Sequence, residues 1–219
     1  GMTIDGDVLT VGSAVCLDDA VKYTAENGLG GWSKLAGIPG SVGGGLRMNA
    51  GAFRSFISDY VLDIDLMDWE GTARTIAKDE IGFVYRNAPG LEDTIILSAK
   101  FQLPFIGRDK AVETVESTIA ERYRRNVMTI PSAGSVFKNP PGESAAQLIE
   151  SVGGKGMKIC GSDDTVRVEI SPHHSNFIVN KNGGNASDIY NLIDRIREMV
   201  YDRYGIRLEL EIHTLGFSE

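Results

Sequence analysis

The chain has 219 residues, 42% hydrophobic and 24% charged, which is ample for a buried core and ordinary for a globular protein. The formal net charge of −8 argues against general nucleic-acid binding, so an anionic ligand needs a local basic pocket, for which Arg47, Arg86 and Lys138 are the candidates. No run approaches the ~20 apolar residues of a membrane span and no signal peptide opens the sequence. Cys16 and Cys160 stand far apart, outside any metal-ligand spacing, and read as free thiols in a reducing cytosol.

In chain order, residues 8–15 read as a strand and 17–27 as a short helix with a polar start. Residues 37–51 follow as a loop with six glycines, one proline and no acidic residue. Small side chains there leave backbone N–H groups uncovered, and such groups gathered at a turn cradle anions. The loop is neither a Walker A sequence nor a strict Gly-x-Gly-x-x-Gly fingerprint, so a tight structural crossover explains the pattern equally well. Residues 61–69 alternate Leu62, Ile64 and Leu66 with Asp63 and Asp65, the period of a half-buried strand. Glu70-Gly71 turns it back through 72–77, and 95–103 is another strand. Val112, Val115, Ile119 and Tyr123 recur at helical spacing within 109–126.

Residues 131–140, Pro-Ser-Ala-Gly-Ser-Val-Phe-Lys-Asn-Pro, are the most informative stretch. Two prolines fix its entry and exit, and Gly134 permits close approach or positive φ. A stiff segment results, presenting hydroxyls, an amide and a cation; the plain alternative is a polar turn. Residues 144–152 form a short helix capped by Ser144 or Glu143, and 166–170 and 177–180 are strands. Residues 187–204 carry Ile189, Leu192, Ile193, Ile196, Met199 and Val200 on one stripe, with Gly205 as the stop. Residues 208–215 are expected to close the fold as a strand in which Glu209 and Glu211 share a face. The pattern is α+β, with a domain boundary expected near 104–130 and the two motif-bearing loops on either side of it. A ligand between the domains would touch both.

Five blocks carry a resemblance: 37–45 with Met48-Asn-Ala-Gly51, Tyr85-Arg86, 131–140, His174-Ser-Asn-Phe-Ile-Val-Asn180, and Leu208-Glu-Leu-Glu211. In order and spacing they resemble the UDP-N-acetylenolpyruvoylglucosamine reductases. The resemblance implies a partial FAD-binding domain of the vanillyl-alcohol-oxidase type over 1–106 and an α+β substrate-binding domain over 107–219. It implies a cytoplasmic flavoenzyme of cell-wall synthesis that uses NADPH and FAD to reduce the enolpyruvyl ether of a UDP-sugar to a lactyl ether. Gly37, Ile38, Pro39, Gly40, Ser41, Val42, Gly43, Gly44, Asn49, Ala50 and Gly51 would hold FAD. Ser135 would be the general acid, Arg86 the cation on the substrate carboxylate, and Glu211, protonated or water-bridged, a hydrogen-bond donor beside it. Tyr85, Lys138 and Asn139 would contact substrate, Tyr85 by orienting Arg86.

The short interval between Arg86 and Ser135 looks like the family's form without an extra substrate-covering loop. The family's usual opening segment, with a glycine-serine-asparagine loop for the flavin pyrophosphate, is not in this sequence. Phe53, Trp32-Ser33, Asn126-Val127 and Ala88 depart from the usual residues. Two other classes stay open at this point: a non-catalytic homologue that binds a UDP-sugar without turnover, and another flavin oxidoreductase of the same fold group.

Overall fold

A computed structural model describes residues 1–124 and 130–217. The chain divides into two compact units, Gly1–Glu121 and Arg122–Glu219. Each has its own apolar core, and the two cores share no residue.

The first unit is built on a five-stranded antiparallel sheet. Strands β1 (Met2–Asp5) and β2 (Val8–Gly12) form a hairpin, and the helix α1 (Leu17–Glu26) follows. A short helix, α2 (Val42–Arg47), lies within the glycine-rich segment. The small hairpin β3 (Gly51–Ala52) and β4 (Ser55–Phe56) comes next. Strands β5 (Val61–Met67) and β6 (Ala73–Ala77) form the second large hairpin, followed by the short helix α3 (Lys78–Ile81). Strand β7 (Ile95–Gln102) lies between β2 and β5, giving the sheet order β1-β2-β7-β5-β6. The long helix α4 (Arg108–Arg124) follows, and the boundary between the units falls after its residue Glu121. The last two positions of the helix expected over 109–126, and the Asn126-Val127 pair, lie outside the described residues.

Alternation along β5 places Ile64 and Leu66 in the core, where they meet Leu9 and Val11 from β2, Ala99 and Phe101 from β7, and Ala111 and Val115 from α4. Trp32 is buried and packs edge-on against Phe101, with ring centroids 4.5 Å apart. Trp69, at the tip of the β5–β6 hairpin, is 71% exposed. On the sheet face that carries Asp65, the Thr75 hydroxyl of β6 donates to Oδ1 at 2.6 Å and the Ser98 hydroxyl of β7 donates to Oδ2 at 2.7 Å.

The second unit is a four-stranded antiparallel sheet in the order β8 (Ser132–Ser135), β11 (Phe177–Asn180), β10 (Val166–Ile170) and β9 (Lys158–Cys160). Helix α5 (Ala145–Ser151) and helix α6 (Ala186–Tyr204) contribute Leu148, Ile149, Leu192, Ile193, Ile196 and Val200 to the core with Val168 and Ile170. The α6 stripe is the one its sequence spacing predicts. Asn185 caps its start in a reciprocal pair with Asp188, and Gly205 ends it at φ +68°. Ser144 caps α5, its Oγ accepting the Gln147 N–H.

The strand expected over 208–215 does not form. Only Leu210 bridges, to Phe137, and beyond Glu211 the chain bends away. The cause is a loss of apolar contact: Leu208 is 2% exposed, whereas Leu215 is 91% exposed. Phe217 instead stacks on Tyr190 of α6, with ring centroids 4.6 Å apart.

Asn176 ties this unit together. Its Oδ1 accepts the Phe137 N–H at 2.9 Å, and its Nδ2 donates to the Phe137 carbonyl at 2.8 Å. Both residues are buried, so truncation strands two backbone groups, each costing about 1–3 kcal/mol. Asn176→Ala is therefore expected to destabilise the second unit by roughly 2–4 kcal/mol in urea denaturation followed by far-UV circular dichroism; a loss under about 0.5 kcal/mol would contradict this role.

The Thr75 hydroxyl first, then the Ser98 hydroxyl, hold the Asp65 carboxyl below the usual carboxylate range, with Lys100 adding its charge. A depressed folded pKa gives stability that is fully present above the unfolded value of about 4 and is lost as pH falls through the folded value. Asp65→Asn is expected to flatten the acid limb of stability against pH below about pH 4; an unchanged limb would show that the two hydroxyls do not favour the charged form.

Candidate functional site

In the first unit the glycine-rich segment is docked by its own backbone. Val42 donates its N–H to Val15 O at 2.9 Å and Gly43 to Ser13 O at 2.8 Å. A Cβ on Gly43 would sit 2.8 Å from Ser13 Cβ, so the close approach excludes a side chain. Gly37 donates to Asp18 Oδ1 at 2.8 Å, and the same carboxylate pairs with Lys22 through Oδ2 at 2.7 Å. Ser41 caps α2, its Oγ accepting the Gly44 N–H at 3.1 Å and its carbonyl accepting the Gly45 N–H.

The sequence pattern suggests a row of uncovered N–H groups, but most are committed internally. Between Gly37 and α2, Gly40 and Ser41 are the positions whose N–H groups make no hydrogen bond among the described residues. Gly40 stands at φ +115°, a conformation that L side chains rarely adopt, with open space where a Cβ would project. The loop is a structural crossover that leaves two adjacent donors uncommitted among the described residues.

Asn49 lies just past α2 at φ +42° and is 5% exposed. Its Nδ2 donates to Val84 O at 3.0 Å, while its buried Oδ1 has no hydrogen-bond partner among the described residues. A buried acceptor without a donor is costly unless a ligand supplies one. Ala50 accepts the Ile57 N–H, and Gly51 opens the β3–β4 hairpin. Tyr85 and Arg86 occupy a tight turn closed by two hydrogen bonds between Val84 and Asn87. Arg86 stands at φ +56°, its guanidinium 5.0 Å from the Tyr85 ring centroid, and its Nη2 donates to Gly51 O at 3.2 Å. The glycine-rich segment and the Tyr85-Arg86 turn are thus brought together.

Arg47 goes elsewhere than into a basic pocket. It donates to Asn87 Oδ1 at 3.0 Å and Ala88 O at 3.2 Å, and pairs with Glu92 at 3.5 Å. Ala88, a departure from the family pattern, is fully buried, which removes any need to satisfy a hydroxyl there.

In the second unit Ser135 ends β8 opposite Phe177, one residue after Gly134 at φ +83°. The ladder shifts register between Phe177 and Val179, so the irregularity falls between the Ser135 and Ser132 pairs, at Ala133 and Gly134. Glu211 donates its N–H to Val136 O at 2.8 Å, so the backbone places it across from the residue that follows Ser135. Lys138 donates its N–H to Glu209 O, and its Nζ lies 3.5 Å from the Glu209 carboxylate, an exposed pair worth little by itself. That pair separates the roles of the two glutamates, which the sequence leaves alike. Asn139 Oδ1 accepts the Ala145 N–H at 3.0 Å at the start of α5. His174 packs edge-on to Phe177 and accepts the Asn176 N–H, a local structural role. A hollow of about 340 Å³ lined by Pro131, Ser132, Val136, Ile178, Ile189 and Ile212 holds none of the expected site residues. Cys16 and Cys160 are free.

Residues 2–77 match the FAD binding domain family, and residues 125–215 match the C-terminal domain of UDP-N-acetylenolpyruvoylglucosamine reductase. The reductase of Moorella thermoacetica is 35% identical over 97% of this chain and 68% of its own length. The chain belongs to the UDP-N-acetylenolpyruvoylglucosamine reductase family. The Aquifex aeolicus reductase is 34% identical over 94% of this chain and 67% of its own length. The crystal structure of the Thermus caldophilus reductase superposes with a TM-score of 0.81 at 31% identity, covering 96% of this chain and 73% of that one. The family is one of flavin-dependent oxidoreductases, and the α+β architecture with an FAD-binding first unit agrees with it.

The residues present fit a flavin nucleotide. The uncommitted Gly40 and Ser41 N–H groups suit a phosphate or ring acceptor, and Asn49 Oδ1 suits a donor. Gly40→Ala is expected to weaken flavin binding about tenfold through backbone strain of about 1–3 kcal/mol, read as flavin released on dilution and monitored by fluorescence. Unchanged retention would show that this turn does not hold the cofactor.

Proposed function

We propose that this chain catalyses the NADPH-dependent reduction of UDP-N-acetylglucosamine enolpyruvate to UDP-N-acetylmuramate, a step in peptidoglycan precursor synthesis. The observation that carries the reading is the Arg86 Nη2 to Gly51 O bond, which ties the family's carboxylate-binding position to its flavin segment. A cytoplasmic location belongs to the same proposal; among the described residues no helix is long and apolar enough to cross a membrane.

FAD, reduced by NADPH, supplies a hydride when bound. The residues to hold it are 37–44 and Asn49, Ala50 and Gly51. Arg86 binds the enolpyruvyl carboxylate and stabilises the negative charge that grows there as the terminal carbon is reduced. Glu211, in the protonated or water-bridged form the resemblance implies, donates a hydrogen bond to the same developing charge. Ser135 Oγ gives its proton to the neighbouring carbon; a hydroxyl is a weak acid, and the strongly basic carbanionic centre is what makes the transfer feasible. Tyr85 braces the Arg86 guanidinium through its ring face. Lys138 Nζ neutralises phosphate or sugar-linked charge, and Asn139 retains its Nδ2 for substrate because Oδ1 caps α5.

Ser135→Ala separates the two half-reactions. Flavin reduction by NADPH is expected to keep its rate, while reoxidation by the enolpyruvyl sugar slows by about 10²–10⁴-fold, the usual worth of a positioned general acid. Stopped-flow absorbance at the flavin band follows both. A parallel fall in the two rates would remove the serine from its proton-donor role.

A further inference from the structure

Six non-glycine residues adopt positive φ among the described residues, and four of them gather in one place: Asn49, Phe53, Arg54 and Arg86. Phe53 and Arg54 form the two-residue turn of the β3–β4 hairpin, where positive φ normally selects asparagine and glycine. Backbone strain of this kind persists only where surrounding contacts hold it. Three contacts do so for Arg86. Asn49 Nδ2 holds Val84 O at the start of the turn, Gly51 O receives Arg86 Nη2 in the middle, and Arg47 Nη1 grips Asn87 Oδ1 and Ala88 O at the end.

We propose that Arg47 is a positioning residue for Arg86: by fastening the far end of the 84–87 turn to α2, it fixes the guanidinium that receives the substrate carboxylate. This rests on the proposed function for the identity of the carboxylate. The alternative role for Arg47 is direct contact with an anionic substrate. Its Nη1 bridges Asn87 Oδ1 and Ala88 O, and committing that nitrogen to the end of the turn argues for the structural tie. The Glu92 pair adds little, both side chains being substantially exposed.

The test uses Arg47→Ala in the whole chain with flavin bound, and two readouts. The first needs no ligand: amide exchange at position 87, whose N–H bonds Val84 O, is expected to quicken about tenfold, while the Ala99 amide in β7 stays protected. The second compares calorimetric affinities for the enolpyruvyl sugar and for UDP-N-acetylglucosamine, which lacks the carboxylate. Arg47→Ala is expected to cut the preference for the enolpyruvyl sugar about tenfold, leave the plain sugar's affinity unchanged, and have no further effect once Arg86→Ala is present. Asn87→Ala, which removes the acceptor from the other side, gives the same pattern.

Unchanged exchange at position 87 overturns the proposal. So does an equal loss of affinity for both sugars, or an undiminished effect in the Arg86→Ala background, which would make Arg47 a direct ligand. If the unsubstituted chain binds neither sugar, the proposed function fails, and the exchange result alone then decides whether Arg47 holds the turn.

Discussion

The docking of α2 by two backbone hydrogen bonds, Val42 to Val15 and Gly43 to Ser13, is the constraint from which the first unit's functional surface follows. With those donors committed, the chain arrives at Gly40 and Ser41 with two N–H groups still to be satisfied. It leaves α2 at Asn49 with an amide that reaches Val84. The same segment delivers Gly51 to Arg86. Glycine at 43 is a packing requirement, because the Ser13 side chain and carbonyl occupy the space a Cβ needs. Glycine at 40 is a conformational one. Two glycines in one motif thus have different physical causes.

In the second unit the comparable constraint is the Asn176 amide, which satisfies both backbone groups of Phe137 and so fixes the serine-rich segment against β11. Val136 and Lys138 on either side are then free to pair with Glu211 and Glu209. The segment between the two prolines is stiff for this reason as much as for its prolines. Its residues divide between scaffolding and display: Asn139 caps a helix with one amide atom, and Ser135 makes no side-chain hydrogen bond among the described residues.

Much of this was legible in the sequence where local physics decides the outcome. The α6 stripe with Gly205, the Ser144 cap, and the strands at 166–170 and 177–180 appear as their periodicity indicates. Periodicity failed at 208–215, because alternation describes a face only when another strand is there to cover it, and pairing stops after Glu211. The glycine loop was legible as to composition and not as to hydrogen bonding, since which N–H groups remain open depends on Ser13 and Val15, distant in sequence. Arg47 reads as a pocket cation and is instead a tie to Asn87, a contact across 40 positions that no local pattern encodes. Asn87, directly after an arginine in a tight turn, was the available hint.

Both tryptophans, one sealed against Phe101 and the other at a hairpin tip, belong to the first unit. Indole emission therefore has its source in one half of the chain only. Damage confined to the unit that carries Ser135 leaves both indoles within a folded unit of their own, and an apparently intact spectrum is no warrant that the Ser135-bearing unit is folded.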